Sequence, residues 1–138
     1  MSSPRTVVLD NEAVAALASV SHAKHIRVLA HVQVVAHRKR KAVPVDIVVP
    51  TAVRVEAGWD RRAPAAALIN RLRIGDVPLD ATAANAAAGI VGRLHVSVAD
   101  AHIGAAVAAV AGPVTVITSD PKDIAAVTSP APVTIVTI

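Results

Sequence analysis

The 138-residue sequence has no cysteine, phenylalanine or tyrosine, and its single tryptophan is Trp59. The lack of cysteine excludes disulfide bonds, thiolate metal ligands and cysteine nucleophiles. The near absence of aromatic rings removes the usual platform for stacking on nucleic-acid bases. With 30 alanines and 25 valines, the core must instead be filled by many small side chains.

Charged residues are also scarce, at 17% against roughly 25% in an average soluble protein. Hydrophobic residues make up 54%, which is enough to bury a sizeable core and excludes a disordered chain. Because compact domains typically contain about 100 to 150 residues, we predict a single domain over 1–138. The net charge of +4 favours polyanionic partners without requiring them.

No segment has the unbroken apolar length of a membrane helix. The longest uncharged run, 103–119, has 17 residues and is interrupted by Gly112-Pro113, whereas a span needs about 20 apolar residues. Arg5 and Asp10 interrupt the amino-terminal region before a signal-peptide core can form. We therefore expect a cytoplasmic protein that does not enter a membrane.

Short β-branched runs alternate with helical patterns along the chain, which predicts a parallel sheet covered by helices on both faces. The predicted strands are 6–9, 45–49, 76–79, 114–118 and 133–138. The predicted helices are 12–20, 22–41, 51–59, 64–73, 81–94 and 97–111, with a short one after 121. We expect Asn11 and Thr51 to cap the first and third helices.

Four acidic residues occupy strand ends or helices in this pattern: Asp10, Glu56, Asp100 and Asp120. In parallel α/β sheets the binding crevice lies outside the carboxyl ends of the strands. Carboxylates that meet there repel one another and need a cation, and Mg²⁺ or Mn²⁺ prefers oxygen ligands. Taken singly, each acid is better explained by helix capping, so the arrangement of all four carries the prediction.

The segments around these acids are VVLDNEA at 7–13, VPT at 49–51 leading to Glu56, VADA at 98–101 and VITSDPKDI at 116–124. In order and spacing they resemble those of PIN-domain nucleases, with the closest likeness to the VapC-like toxins of bacterial type II toxin–antitoxin systems. The resemblance covers nearly the whole chain. It implies a three-layer α/β/α PIN-like domain with a central parallel sheet.

The resemblance also implies a metal-dependent endoribonuclease in which Asp10, Glu56, Asp100 and Asp120 form the catalytic metal site. Asp10 and Asp100 are the first candidates for direct ligands of Mg²⁺ or Mn²⁺, followed by Asp120, with Glu56 acting through water or by positioning a base. Metal-assisted phosphodiester hydrolysis needs no protein nucleophile, which suits a chain without cysteine. The implied partners are an RNA substrate, a cognate antitoxin and a second copy of the chain.

Three other residues are candidates for binding ligand carboxylates or substrate. Thr118 and Ser119 can hydrogen-bond a ligand carboxylate or a phosphate, or equally serve as satisfied strand-end hydroxyls. Arg54 can hold the scissile phosphate if it reaches the crevice, although a solvated helix arginine explains it as well. The basic run 37–41 can contact phosphates or simply complement a helix C-terminus. Asp123 and Glu12 are assigned to a turn and a helix N-terminus.

Several weaker patterns receive structural explanations. The spacing of His22 and His25 suits a zinc site on one helix face, but no third ligand accompanies them. Gly89 and Gly92 form no nucleotide-binding motif and are expected to permit close helix packing. The apolar residues of the second helix, among them Val28, Val32 and Val35, suit either the core or a homodimer or antitoxin interface.

Two other functions, those of a receiver domain and of a PIN-like protein that does not cut RNA, stay open. A receiver domain also places strand-end acids around Mg²⁺, but it requires a lysine after the last strand, and none follows the strand at 133–138. The segment Asp10-Asn11-Glu12 likewise lacks the Asp-x-Asp pattern of aspartyl-nucleophile phosphatases. A PIN-like protein that binds RNA or acts as a scaffold without cutting is the second alternative.

Overall fold

A computed structural model describes residues 5–38 and 45–138, and the side chains of 5–34 and 45–138. Within these ranges one sheet contains β1 (Arg5–Leu9), β2 (Val45–Pro50), β3 (Gly75–Val77), β4 (Val114–Thr118) and β5 (Thr134–Thr137). All four strand pairings are parallel, and the strand order is β3-β2-β1-β4-β5. The predicted α/β class with a central parallel sheet is confirmed.

Seven α-helices in the described ranges flank the sheet: α1 (Asn11–Ala18), α2 (His25–Arg38), α3 (Thr51–Ala57), α4 (Ala67–Asn70), α5 (Ala81–Leu94), α6 (Val98–Ala109) and α7 (Pro121–Thr128). A single 3₁₀ turn, Pro64–Ala66, precedes α4. Helix α1 packs against α2, α3 and α4, whereas α6 packs against α5, α7 and α3. The result is the three-layer α/β/α arrangement that the strand and helix pattern predicts.

The core is built on β1, the middle strand, in which Val7, Val8 and Leu9 are all buried. A parallel strand with helices on both faces has no solvated side, so its sequence is apolar throughout rather than alternating. Small side chains fill the layer above it, since α6 buries Ala101, Ala105 and their neighbours. The many alanines and valines of the sequence therefore allow close helix-to-sheet packing.

The order of the strands determines where a crevice can form. From β1 the chain adds β2 and β3 on one side, and then crosses to add β4 and β5 on the other. The two directions separate between β1 and β4, which is the switch point where ligands bind in open parallel sheets. Asp10 directly follows β1, and Asp120 follows β4 by two residues.

Several predicted helix boundaries and caps are wrong. Asp10 rather than Asn11 caps α1, and α3 begins after Pro50 without a side-chain cap, since the Thr51 hydroxyl accepts from Leu79 N at 3.0 Å. The side chains of Asn11 and Thr51 instead contact residues that are distant in the sequence. Preferences for local capping do not include such contacts.

The element bounds between Pro64 and Leu79 also differ from the prediction. The helix predicted over 64–73 is only the 3₁₀ turn and α4, which ends at Asn70. The third strand is Gly75–Val77 rather than 76–79. Helix α2 begins at His25, so His22 lies outside it and the two histidines do not share a helix face.

Close helix packing occurs at a different glycine from those predicted. A Cβ on Gly89 or Gly92 would meet nothing within 4 Å, so the expectation that they permit packing is wrong. A Cβ on Gly104 would instead collide with the Val127 carbonyl oxygen of α7 and lie 2.8 Å from Ile90 of α5. Gly104 is thus the residue that lets α6 approach both neighbours.

Helix α2 buries one face and exposes another. Val28 and Val32 are in the core, while Ile26 and Val34 are 81% and 54% exposed. The side chain of Val35 and the basic run 37–41 lie outside the side chains that the structure describes. None of the helices in the described ranges combines the length and hydropathy that a bilayer-spanning helix requires.

Candidate acidic site

Asp10 lies at the carboxyl end of β1 and is 7% exposed. Its Oδ1 accepts a hydrogen bond from the backbone N–H of Asn11 at 2.6 Å, and its Oδ2 accepts from the Thr118 hydroxyl at 2.5 Å. Both carboxylate oxygens are therefore held, one by the start of α1 and the other by the end of β4. Each oxygen keeps further lone pairs for another ligand.

The Thr118 hydroxyl links two of the candidate acids. It donates to Asp10 and accepts from the backbone N–H of Asp120 at 2.9 Å, and Thr118 itself is fully buried. One hydroxyl can do both because its oxygen accepts while its proton donates. Thr118 thus contacts a candidate ligand carboxylate, whereas Ser119 beside it is exposed.

Asp120 caps α7, and its Oδ1 accepts from the backbone N–H of Asp123 at 3.4 Å. The side chains of these two acids also interact. A hydrogen bond with Asp120 and the negative charge of Asp120 raise the pKa of Asp123, while nearby Lys122 lowers it. Asp123 therefore belongs with the acidic group, although the sequence pattern assigned it only to a turn.

Asp100 occupies the first turn of α6 but does not cap it. Ser97 is the cap, and its hydroxyl accepts from the backbone N–H of Asp100 at 3.1 Å. Burial raises the pKa of Asp100 to about 6, with further increases from the negative charges of Asp10, Asp123, Glu56 and Asp120, in that order. Helix capping therefore does not explain the half-buried carboxylate of Asp100.

Glu56 reaches the group from the last turn of α3, where its side chain is exposed. Its Oε1 accepts a hydrogen bond from the side-chain amide of Asn11 at 3.1 Å. Glu56 also contributes to the raised pKa of Asp100. The fold thus brings all four predicted acids into electrostatic contact, and Asn11 and Asp123 join them.

Ion pairs that join two described residues occur away from this group, at Glu12, Asp60 and Asp76. Arg54 pairs with Asp76 at 2.8 Å and lies 5.3 Å from the centre of the Trp59 ring. Arg61 pairs with the same carboxylate at 2.9 Å. The Arg54 side chain thus links α3 to β3 through Asp76. Its contact with substrate stays a prediction.

Three helices begin at the acids, because Asp10 caps α1, Asp120 caps α7 and Asp100 lies in the first turn of α6. The partial positive charge of helix N-termini stabilises nearby carboxylates, typically by about 0.3–1 kcal/mol each. Burial and the repulsion between the carboxylates act against this stabilisation, since together they raise the pKa of Asp100. A hard divalent cation fits the chemistry of the donors, since all are carboxylate oxygens.

Among the side chains that the structure describes, those of 5–34 and 45–138, no set of three or more His, Asp or Glu is already arranged to hold a metal ion. The two histidines considered for zinc have other partners. His22 Nε2 lies 3.0 Å from Glu12 Oε1, and His25 Nδ1 lies 2.8 Å from the carbonyl oxygen of Ala16.

Comparison of the sequence with models of known protein families gives no match, and comparison with curated proteins gives none either. Membership of the PIN-domain family therefore remains a prediction that depends on the motifs around the four acids.

Proposed function

We propose that this protein is a Mg²⁺- or Mn²⁺-dependent endoribonuclease of the PIN-domain type, acting as the toxin of a toxin–antitoxin pair. The observation that supports this most is the half-buried carboxylate of Asp100, whose pKa is raised to about 6 by burial and by four neighbouring acids. Groups with strongly perturbed pKa values, surrounded by like charges in a crevice, are typical of functional sites.

The alternative explanation, a coincidence of helix caps, accounts for Asp10 and Asp120 but not for Asp100. Ser97 already caps α6, so no cap is needed from Asp100, and an acid in the first turn gains only the modest stabilisation of the helix dipole, about 0.3–1 kcal/mol. Grouping carboxylates destabilises a fold unless a cation binds there. The electrostatic cost is therefore best explained by a cation that the functional protein binds.

Asp10, Asp100 and Asp120 would hold the cation, with Glu56 contributing directly or through water. When bound, the ion supplies positive charge to phosphate oxygens and activates a water molecule. Thr118 holds Asp10 in one orientation, and the N-termini of α1, α6 and α7 stabilise the negative charge of the acids. No side chain of this set has to form a covalent intermediate.

The overall charge supports an RNA substrate. The chain has 14 Lys and Arg residues and ten acids. Outside the four candidate acids only six acids remain, so the rest of the surface has an excess of positive charge, which favours a polyanion. The exposed side chains of Ile26 and Val34 on α2 support the proposed contact with an antitoxin or a second copy. A cytoplasmic location follows from the same proposal.

The test is cleavage of a mixed tRNA and rRNA pool by the purified protein in Mg²⁺, Mn²⁺ or EDTA. We expect discrete metal-dependent cuts, and a loss of at least about a hundredfold in Asp10→Asn and Asp100→Asn, because even outer-shell partners of a metal contribute about 10- to 100-fold. Asp60→Asn is the matched control, since Asp60 pairs with Arg62 outside the group.

Two outcomes would contradict the proposal. Cleavage that survives in EDTA or in both variants would separate the activity from these acids. RNA that is bound but left uncut by wild type and variants alike would favour a PIN-like RNA-binding or scaffold protein.

A further inference from the structure

Asn11 contacts two of the candidate acids from one position at the start of α1. Its backbone N–H donates to Asp10 Oδ1 at 2.6 Å, and its side-chain Nδ2 donates to Glu56 Oε1 at 3.1 Å. The second contact joins residues 45 positions apart in the chain. It therefore links the start of α1 to the last turn of α3.

The local surroundings of Glu56 do not favour a side-chain conformation that points towards other acids. Glu56 has an exposed, flexible side chain, and ordering such a side chain costs conformational entropy. Its place in the last turn of α3 is also unfavourable, because helix C-termini carry partial negative charge. Repulsion from the neighbouring carboxylates adds to both effects.

The amide of Asn11 opposes these effects. A hydrogen bond donated to a carboxylate is charge-assisted and stronger than one between neutral groups. An amide can donate this bond without adding a charge, so it orients Glu56 without neutralising the site. A lysine or arginine at the same place would compete with a bound cation.

We propose that Asn11 is a positioning residue that holds the Glu56 carboxylate beside Asp10. This inference rests on the proposed function for its consequence in metal binding, but the contact itself can be tested separately. The sequence pattern assigned Asn11 only a capping role, which in the structure belongs to Asp10.

Asn11→Ala separates the two contacts. The backbone N–H that holds Asp10 remains, and alanine is a good helix former, so α1 should still form. Only the bond to Glu56 is removed.

The contact is tested by NMR of the Asn11 side-chain amide, whose signals are identified by their loss in Asn11→Ala. We expect Glu56→Ala to shift these signals and Val55→Ala to leave them in place. Val55 is the matched control because it neighbours Glu56 on α3 and is 82% exposed. Signals that do not respond to Glu56→Ala would overturn the proposal.

The consequence is tested by calorimetric measurement of Mn²⁺ affinity in wild type, Asn11→Ala, Glu56→Ala and the double variant. We expect Asn11→Ala to weaken binding about tenfold. If Asn11 acts through Glu56, the double variant should bind no more weakly than Glu56→Ala alone. Independent losses that multiply in the double variant would overturn the positioning role.

Failure of the proposed function gives a different result. If wild type binds no Mn²⁺, the nuclease proposal fails, and the amide signals alone decide whether Asn11 holds Glu56.

Discussion

At the scale of single residues, the Thr118 hydroxyl is the group that connects two of the acids in the acidic site. It is fully buried at the end of β4, where it donates to Asp10 Oδ2 and accepts from the backbone N–H of Asp120. A buried polar group that loses its partner costs about 1–3 kcal/mol. The loss is larger still when the partner is charged, as a carboxylate is.

We therefore predict that Thr118→Val lowers the free energy of unfolding by about 2–3 kcal/mol, because valine matches the shape of threonine but removes the hydroxyl. Thr118→Ser keeps the hydroxyl and loses one methyl group, so it should cost only about 1 kcal/mol. Urea denaturation of the three proteins measures both changes. Equal stability of the two variants would show that the hydroxyl contributes nothing.

At the scale of secondary-structure elements, the packing of α6 decides where Asp100 lies. Gly104 lets α6 approach the backbone of α7 so closely that a Cβ would collide with the Val127 carbonyl oxygen. A backbone atom cannot move aside as the end of a flexible side chain can. The approach of α6 to α7 also brings Asp100 near Asp120 and Asp123, which both raise its pKa.

We predict that Gly104→Ala lowers the free energy of unfolding by about 1–3 kcal/mol, the usual range for overpacking a core. Gly89→Ala and Gly92→Ala are matched controls in α5, where a Cβ meets open space. They should stabilise the protein by about 0.5–1 kcal/mol, since alanine restricts the unfolded chain and favours the helix. Thermal or urea unfolding compares the three, and a destabilisation in all of them would contradict this packing account.

At the scale of the whole molecule, the acidic group makes stability depend on pH. The pKa of Asp100 is raised from 3.8 to about 6, so between these values the folded protein retains a proton that the unfolded chain has released. The contribution of Asp100 to stability is therefore fully present at low pH and is lost as the pH rises to about 6. His102 acts in the opposite direction, since burial lowers its pKa.

The difference between wild type and Asp100→Asn isolates the contribution of Asp100. We predict that the variant is more stable than wild type at pH 7, by about 1 kcal/mol after solvent screening of a half-buried group. The difference should shrink towards zero at about pH 3 and below, where the wild-type carboxyl is protonated in both states. Urea denaturation from about pH 3 to pH 8 measures this, and a difference that is constant with pH would refute it.

The sequence by itself determined the elements and the edge of the sheet at which the acids collect. Apolar β-branched runs that alternate with helical patterns favour a parallel sheet, and such a sheet places all its strand ends with their acids on one edge. This reasoning anticipated Asp10 and Asp120 after β1 and β4. It needed only the periodicity of side chains and the handedness of the crossovers.

Only the tertiary structure decided which side chains at that edge pair with one another. The Thr118–Asp10 bond joins positions 108 apart, and the Asn11–Glu56 bond joins positions 45 apart. It also engaged Arg54 with Asp76 and gave the close helix approach to Gly104. Local preferences cannot anticipate these pairings, because each depends on which distant backbone or side-chain group the packed layers bring within hydrogen-bonding or van der Waals distance.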